Sequence, residues 1–278
     1  MTIHPPRYSL PPPALLPRSR RVQAILRAGI LERLGTMNIV LLALIYIVVL
    51  LSTIVPFYLF SLTPIPGSGP AIALFYTPFS IQVWFFFTVL LAASVGAGVI
   101  AGDVASRSLT MYLSRPISRL DYLVAKSGAV AVPLALGALL PGLIAVIIVL
   151  SLGYISLPVA LVAAGVYALV GILAIASFTG VSVLFSAVSP KTLYAGAAIF
   201  GSLVATEVVA AAISGITNNT AVQYVSLDAD LIAVAQPLLN AGGNPLDPWV
   251  AGGILVAFSV VAFLVAYLRL ARTEVVTE

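Results

Sequence analysis

The sequence contains no cysteine and a single histidine, His4. Disulfides, thiolate nucleophiles and cysteine-held metals are thereby excluded, and one histidine in a proline-rich tail makes neither a metal set nor an HExxH motif. Charge is nearly as scarce. Asp, Glu, Lys and Arg make up 8% of the 278 residues, against about a quarter in soluble domains. With 61% hydrophobic residues and a mean hydropathy of +1.16, the composition excludes a soluble globular domain and points to a bilayer. Also missing are GxSxG and any G-x-x-x-x-G-K-[ST]. Neither Lys126 nor Lys191 has the upstream glycines that a phosphate cradle needs, so the chain itself is not expected to bind ATP.

What the sequence has is long apolar runs. Six windows can cross a hydrocarbon core of about 30 Å, which takes roughly 20 helical residues. They are 37–60, 79–101, 127–150, 159–188, 193–216 and 249–268. Barrel strands would alternate apolar and polar residues in short segments, so the expected fold is an all-α membrane protein with six transmembrane helices. The fourth window exceeds the need of a straight span, which implies tilt or interfacial ends. Residues 1–19 form a proline-rich tail without the apolar core of a cleavable signal, so the first window is expected to stay as the insertion signal.

The cations set an orientation. Arg7, Arg18, Arg20, Arg21, Arg27 and Arg33 precede the first window, and Arg107, Arg115, Arg119 and Lys126 separate the second from the third. Lys191 lies between the fourth and fifth, and Arg269 and Arg272 follow the sixth. The other connections hold no Lys or Arg, and the last of them carries Asp228, Asp230 and Asp247. The positive-inside rule then puts both termini and the 102–126 connection in the cytoplasm of a multi-pass plasma-membrane protein. Split among four segments, the net charge of +4 reports topology, and no nucleic-acid partner is expected.

Four other features stand out. A lead-in helix within 20–36, with Val22, Ile25 and Leu26 on one arc, either lies in the interface or is an ordinary basic entry to the first span. Pro133, Pro141 and the pair Gly252 and Gly253 mark places where helices kink or approach closely. Glu207 is the one carboxylate well inside a window, about 24 Å from Lys191 at about 1.5 Å per residue. Either it faces a cavity or partner, or it reaches the outer headgroups or is protonated. The 217–248 connection has an apolar piece, 231–239, that fits a re-entrant or interfacial helix able to gate the outer face, and its Asn218-x-Thr220 sequon is too short to carry weight.

The polar island 102–126, GDVASRSLTMYLSRPISRLDYLVAK, is the most informative stretch. Leu109, Tyr112 and Leu113 share one face of a short helix, which Arg115 ends because Pro116 follows it. Ser118 and Asp121 then match a capping box, with Ile117 placed to staple on Tyr122, and a new helix runs into the third window. A surface helix, a turn and a capped span suit docking to a soluble partner. The bland alternative is a solvated loop whose cations only fix topology.

These residues resemble the cytosolic loop of type-two ATP-binding cassette (ABC) transporter permeases, and most closely the bacterial and archaeal branch that includes permeases linked to multicopper-enzyme maturation. The matching positions are Asp103, Ser108 with Leu109 and Thr110, Leu113, Pro116 with Ser118 and Arg119, and Lys126. Ser108 stands where glycine is common in the family. The resemblance implies that 37–278 is the six-helix permease domain of an ATP-driven exporter. It further implies a second permease subunit, the same chain or a homologue, and two copies of a separate ATPase that hold the ATP and magnesium. The loop helix would be the coupling helix, docked through Leu109, Tyr112, Leu113 and Pro116, with Arg107, Arg115 and Arg119 pairing with acidic groups or lipid phosphates. A stand-alone channel or secondary transporter is the alternative. An intramembrane enzyme is a weaker one, because it needs clustered nucleophiles, ligands or carboxylates that the sequence lacks.

Overall fold

A helix that is apolar on every side is stable only where lipid or other apolar helices surround it. Six helices of this kind organise the chain, described in this computed structural model over residues 17–62, 71–80, 82–106, 108 and 117–272. The candidate spans are Thr36–Leu62, Val83–Ala105, Arg119–Ser151, Leu157–Val188, Thr192–Thr217 and Pro248–Arg272.

Helix α1 (Arg18–Arg33) precedes the first span, α2 (Thr36–Leu62). A 3-10 turn (Ala71–Tyr76) and the single turn α3 (Thr77–Ser80) lead into α4 (Val83–Gly96), and α5 (Ala101–Ala105) completes the second span. The third span joins α6 (Arg119–Ala138) to α7 (Leu140–Ser151), the fourth is α8 (Leu157–Val188) and the fifth is α9 (Thr192–Thr217). A second 3-10 turn (Thr220–Val225) and α10 (Leu227–Leu238) precede the last span, α11 (Pro248–Arg272).

Helix α8 is the centre of the bundle and packs against α4, α6, α7, α9, α10 and α11. Its buried stripe includes Tyr167, Val170, Ala174, Phe178 and Val181. Gly142 brings α7 so near that an added Cβ would stand 2.4 Å from the Tyr167 ring. Large apolar side chains such as Leu51, Ile172, Val208, Ile216 and Val260 are exposed on the outer faces, a surface that suits lipid and not water. Helix α1 lies along α6, where Ile25 and Gly29 are buried and Gly29 meets Ala129.

Two spans are interrupted, for different reasons. In the third, Pro141 has no N–H for the carbonyl four residues back, and the helix re-forms beyond Leu139, while Pro133 sits inside an unbroken α6. Gly252 and Gly253 also lie in a continuous helix. In the second span no proline is involved. Val99 N–H bonds to the Gly96 carbonyl at 3.1 Å in place of that of Val95, which instead accepts from Arg33 Nη1 at 2.7 Å. Ser186 Oγ, from α8, accepts the Ile100 and Ala101 amides at 2.9 Å each and donates to the Ala97 carbonyl at 3.1 Å. Side chains from α1 and α8 thus satisfy the backbone groups that the interruption frees.

Candidate functional site

The third span begins eight residues before the expected window because Ser118 caps α6. Its Oγ accepts from the Asp121 amide at 3.1 Å, and the Asp121 carboxylate accepts from the Ser118 amide at 3.4 Å, the reciprocal pair that the spacing predicts. This start places Asp121, Tyr122 and Lys126 on the first two turns of α6.

Those turns are tied to three other helices. Asp103, on α5, accepts from the Tyr122 hydroxyl at 2.6 Å and pairs with Lys126 Nζ at 2.7 Å. The pair is largely sequestered, with side-chain exposures of 5% for Lys126 and 15% for Asp103. Asp121 is held in a fork by Arg18 of α1, Nε at 2.8 Å and Nη2 at 2.7 Å. Arg18 is mostly exposed, so that pair is screened and adds geometry more than stability. Arg119 Nη1 donates to the Ala271 carbonyl near the end of α11.

Of the residues that the sequence singled out, the structure brings Asp103, Ser118, Arg119 and Lys126 together at the base of the connection between the second and third spans. Arg107, Leu109, Thr110, Tyr112, Leu113, Arg115 and Pro116 lie outside the described residues. Sequence reasoning missed Arg18, Asp121 and Tyr122 as anchors, having read Asp121 as a cap alone. Arg18, at the edge of the proline-rich tail, was read only as one of the cations that set the orientation.

The cluster pairs both of its carboxylates with cations and presents neither a nucleophile nor, among the described residues, a group able to hold a metal. Its chemistry is mechanical. It makes the two ends of one connection a single body with parts of α1 and α11.

A family model described as "ABC-2 family transporter protein" matches residues 26–275. The chain belongs to the ABC-2 family. No curated protein matches it. The family is one of membrane transport and not of catalysis, so the chain is not an enzyme, and membership implies the general ABC architecture with an ATPase partner.

In this ABC-2 chain a second polar cluster lies at the other end of the bundle. Gln82, held at φ 53° before α4, donates to Glu207 of α9 at 3.4 Å and to Asp228 of α10 at 3.2 Å. Ser226 Oγ also donates to Glu207. These groups line a cavity of about 280 Å³, so Glu207 faces polar neighbours and not lipid. Asn218 takes the left-handed conformation that ends α9, which accounts for an asparagine there without glycosylation.

Helix α10 lies outside the six spans, and its carboxyls are perturbed. Burial, reinforced by Glu207, pushes Asp228 up to about 8, and burial pushes Asp230 up to about 7. An unfolded aspartate ionises near 3.8. Between that value and about 8 the folded chain therefore holds more protons than the unfolded one, and its stability falls as pH rises. Thermal unfolding in detergent is expected to shift upward by several degrees when the pH is lowered from about 8 to about 5, and Asp228→Asn is expected to shrink that shift. A melting temperature that rises with pH over this range would contradict the assignment.

Proposed function

We propose that this chain is the permease subunit of an ATP-driven exporter. Two such subunits, identical or homologous, form the path across the plasma membrane, and two separate ATPase subunits dock on the connection between the second and third spans. Both termini and this connection are cytoplasmic, a reading supported by the cations gathered at that end. The island residues further support a place in the branch that includes permeases linked to multicopper-enzyme maturation. Helix α10 is a re-entrant or interfacial segment that gates the outer face.

The observation that carries the reading is the clamp at the base of the connection. A pull on residues 107–117 is delivered to α5 and α6 through Asp103, Tyr122 and Lys126. It is shared with α1 and α11 through Arg18 and Arg119. A rigid base is what converts closure of two ATPase subunits into displacement of a span.

The test is co-expression with candidate ATPase subunits from the same cell, purification through a tag on this chain, and assay of ATP hydrolysis and transport with intact and Leu113→Asp chains. The intact chain is expected to retain an ATPase. Leu113→Asp should weaken that association about tenfold or more, the loss typical of a central apolar anchor, or leave hydrolysis uncoupled from transport. Unchanged transport in Leu113→Asp removes the docking assignment. The Glu207 and Asp228 cavity favours a second reading, a gradient-driven transporter acting alone. Proton- or ion-driven flux by the purified chain without any ATPase would select it.

A further inference from the structure

The face of α1 opposite its buried Ile25 and Gly29 is open. Arg20, Gln23, Ala24, Arg27, Ala28 and Leu31 recur there at the i, i+3, i+4 spacing of a single helical stripe, all of them exposed, and line a trough of about 650 Å³. Arg20 and Arg27 stand one turn to either side of Ala24, and neither is engaged by another side chain among the described residues. The carboxylates nearest in the chain or across the contact with α6 are taken: Asp121 is held by Arg18, and Glu32 lies 4.0 Å from Arg33. Residues one turn apart have Cβ atoms about 5–6 Å apart, so two guanidiniums can converge on one anion above the small Ala24 side chain. Their planar forks match phosphate oxygens in particular.

Depth identifies the occupant. Helix α1 runs beside α6 in the same direction, since Arg18 meets Asp121, Leu26 meets Gly128 and Gly29 meets Ala129. Ala24 therefore stands level with the last residues before the apolar window that opens at 127, and Leu31 stands level with the first turn inside it. The stripe is cationic at the depth of headgroups and apolar at the depth of acyl chains, where Leu31 is 66% exposed. A soluble anion would use only the first half of it. An acidic protein surface could not follow it below the headgroups to Leu31.

We propose that this stripe binds one anionic phospholipid, with the phosphate over Ala24 between Arg20 and Arg27, Gln23 donating to it, and an acyl chain along Ala28 and Leu31. Cations held at the membrane surface above an apolar contact recognise acidic headgroups by this combination. The site needs only that the 127–150 window lies in a bilayer. It stands or falls separately from the ATPase partnership.

The experiment uses the full chain, purified through a delipidating detergent wash and re-supplied with phosphatidylglycerol, phosphatidylcholine or inorganic phosphate. Retained lipid is read by mass spectrometry of the intact protein, and binding by the shift in melting temperature. Phosphatidylglycerol should be retained in preference to phosphatidylcholine. Arg20→Gln combined with Arg27→Gln should weaken it about thirtyfold, since each cation near an anionic surface is worth about a factor of five. Ala24→Glu puts a carboxylate between the two arginines at helix-pairing distance from both, so it should displace the lipid while the lipid-free melting temperature falls no lower than the parent's. Equal retention of the two lipids, or retention of phosphatidylglycerol that neither variant alters, overturns the assignment. A melting shift of the same size with inorganic phosphate alone overturns it too, because the acyl chain would then contribute nothing. So does a stripe covered by a second copy, detected as a dimer that Ala24→Glu dissociates.

Discussion

Lys126→Met alone is expected to cost the folded chain about 3–5 kcal/mol, the range found when one partner of a buried ion pair is removed. The loss comes less from the missing attraction than from what stays behind. Asp103 would be left without its cation in a sequestered position, with the Tyr122 hydroxyl as its remaining described side-chain partner. Adding Asp103→Asn should recover most of the deficit, because an amide still accepts from Tyr122 and carries no charge to leave unbalanced. Thermal unfolding of the single and double variants in detergent separates the two terms. A single variant as stable as the parent would mean that water reaches this pair freely. The double variant also tests the clamp: restored stability with impaired coupling is expected if the ion pair transmits force.

Gly96→Ala is expected to destabilise by about 1–3 kcal/mol, the usual cost of forcing a methyl group into a filled space. An added Cβ at this position would stand 2.4 Å from the Ser182 Cβ and 3.2 Å from its Cα, so α4 and α8 must part. The interruption of the second span, bridged by Ser186 and Arg33, lies immediately beyond. Separation of the helices weakens those bonds too. Ser182→Gly in the same chain removes the atoms in the way and should restore most of the stability, at the expense of a weak 3.3 Å bond to the Ala92 carbonyl. The fraction of monodisperse protein after extraction, together with its melting temperature, reads the cycle. Failure of Ser182→Gly to compensate would mean that the contact is not what excludes the methyl group.

Much of this architecture is legible in the residues because the lipid phase leaves few options. Hydropathy alone marks the six spans, and Ser118 with Asp121 marks the start of the third, since a cap is local chemistry. Helix formation over 231–239 was expected and occurs within Leu227–Leu238. Local reasoning fails where the cause is distant. The second span begins at Val83 and not at 79, because Gln82 turns to positive φ where it bonds with Glu207 and Asp228. Its interruption near 97 carries no proline, and the serine that bridges it lies more than eighty residues away. Proline was an uneven guide, since Pro141 accompanies a break and Pro133 does not. At the site, Asp103 and Lys126 are legible as unusual charges beside apolar runs, but nothing in their spacing announces Tyr122 between them or Arg18 behind Asp121.

The bridge at Ser186 has a consequence for biosynthesis. Chains emerge N-terminus first, so the amides of Ile100 and Ala101 leave the ribosome 86 and 85 residues ahead of the hydroxyl that satisfies them. Until then those amides must be answered by water or by the insertion machinery, because lipid offers no acceptor. The second span therefore cannot settle when it is made. It is completed by the fourth, and a nascent chain halted between them carries an unfinished helix end that quality control can recognise.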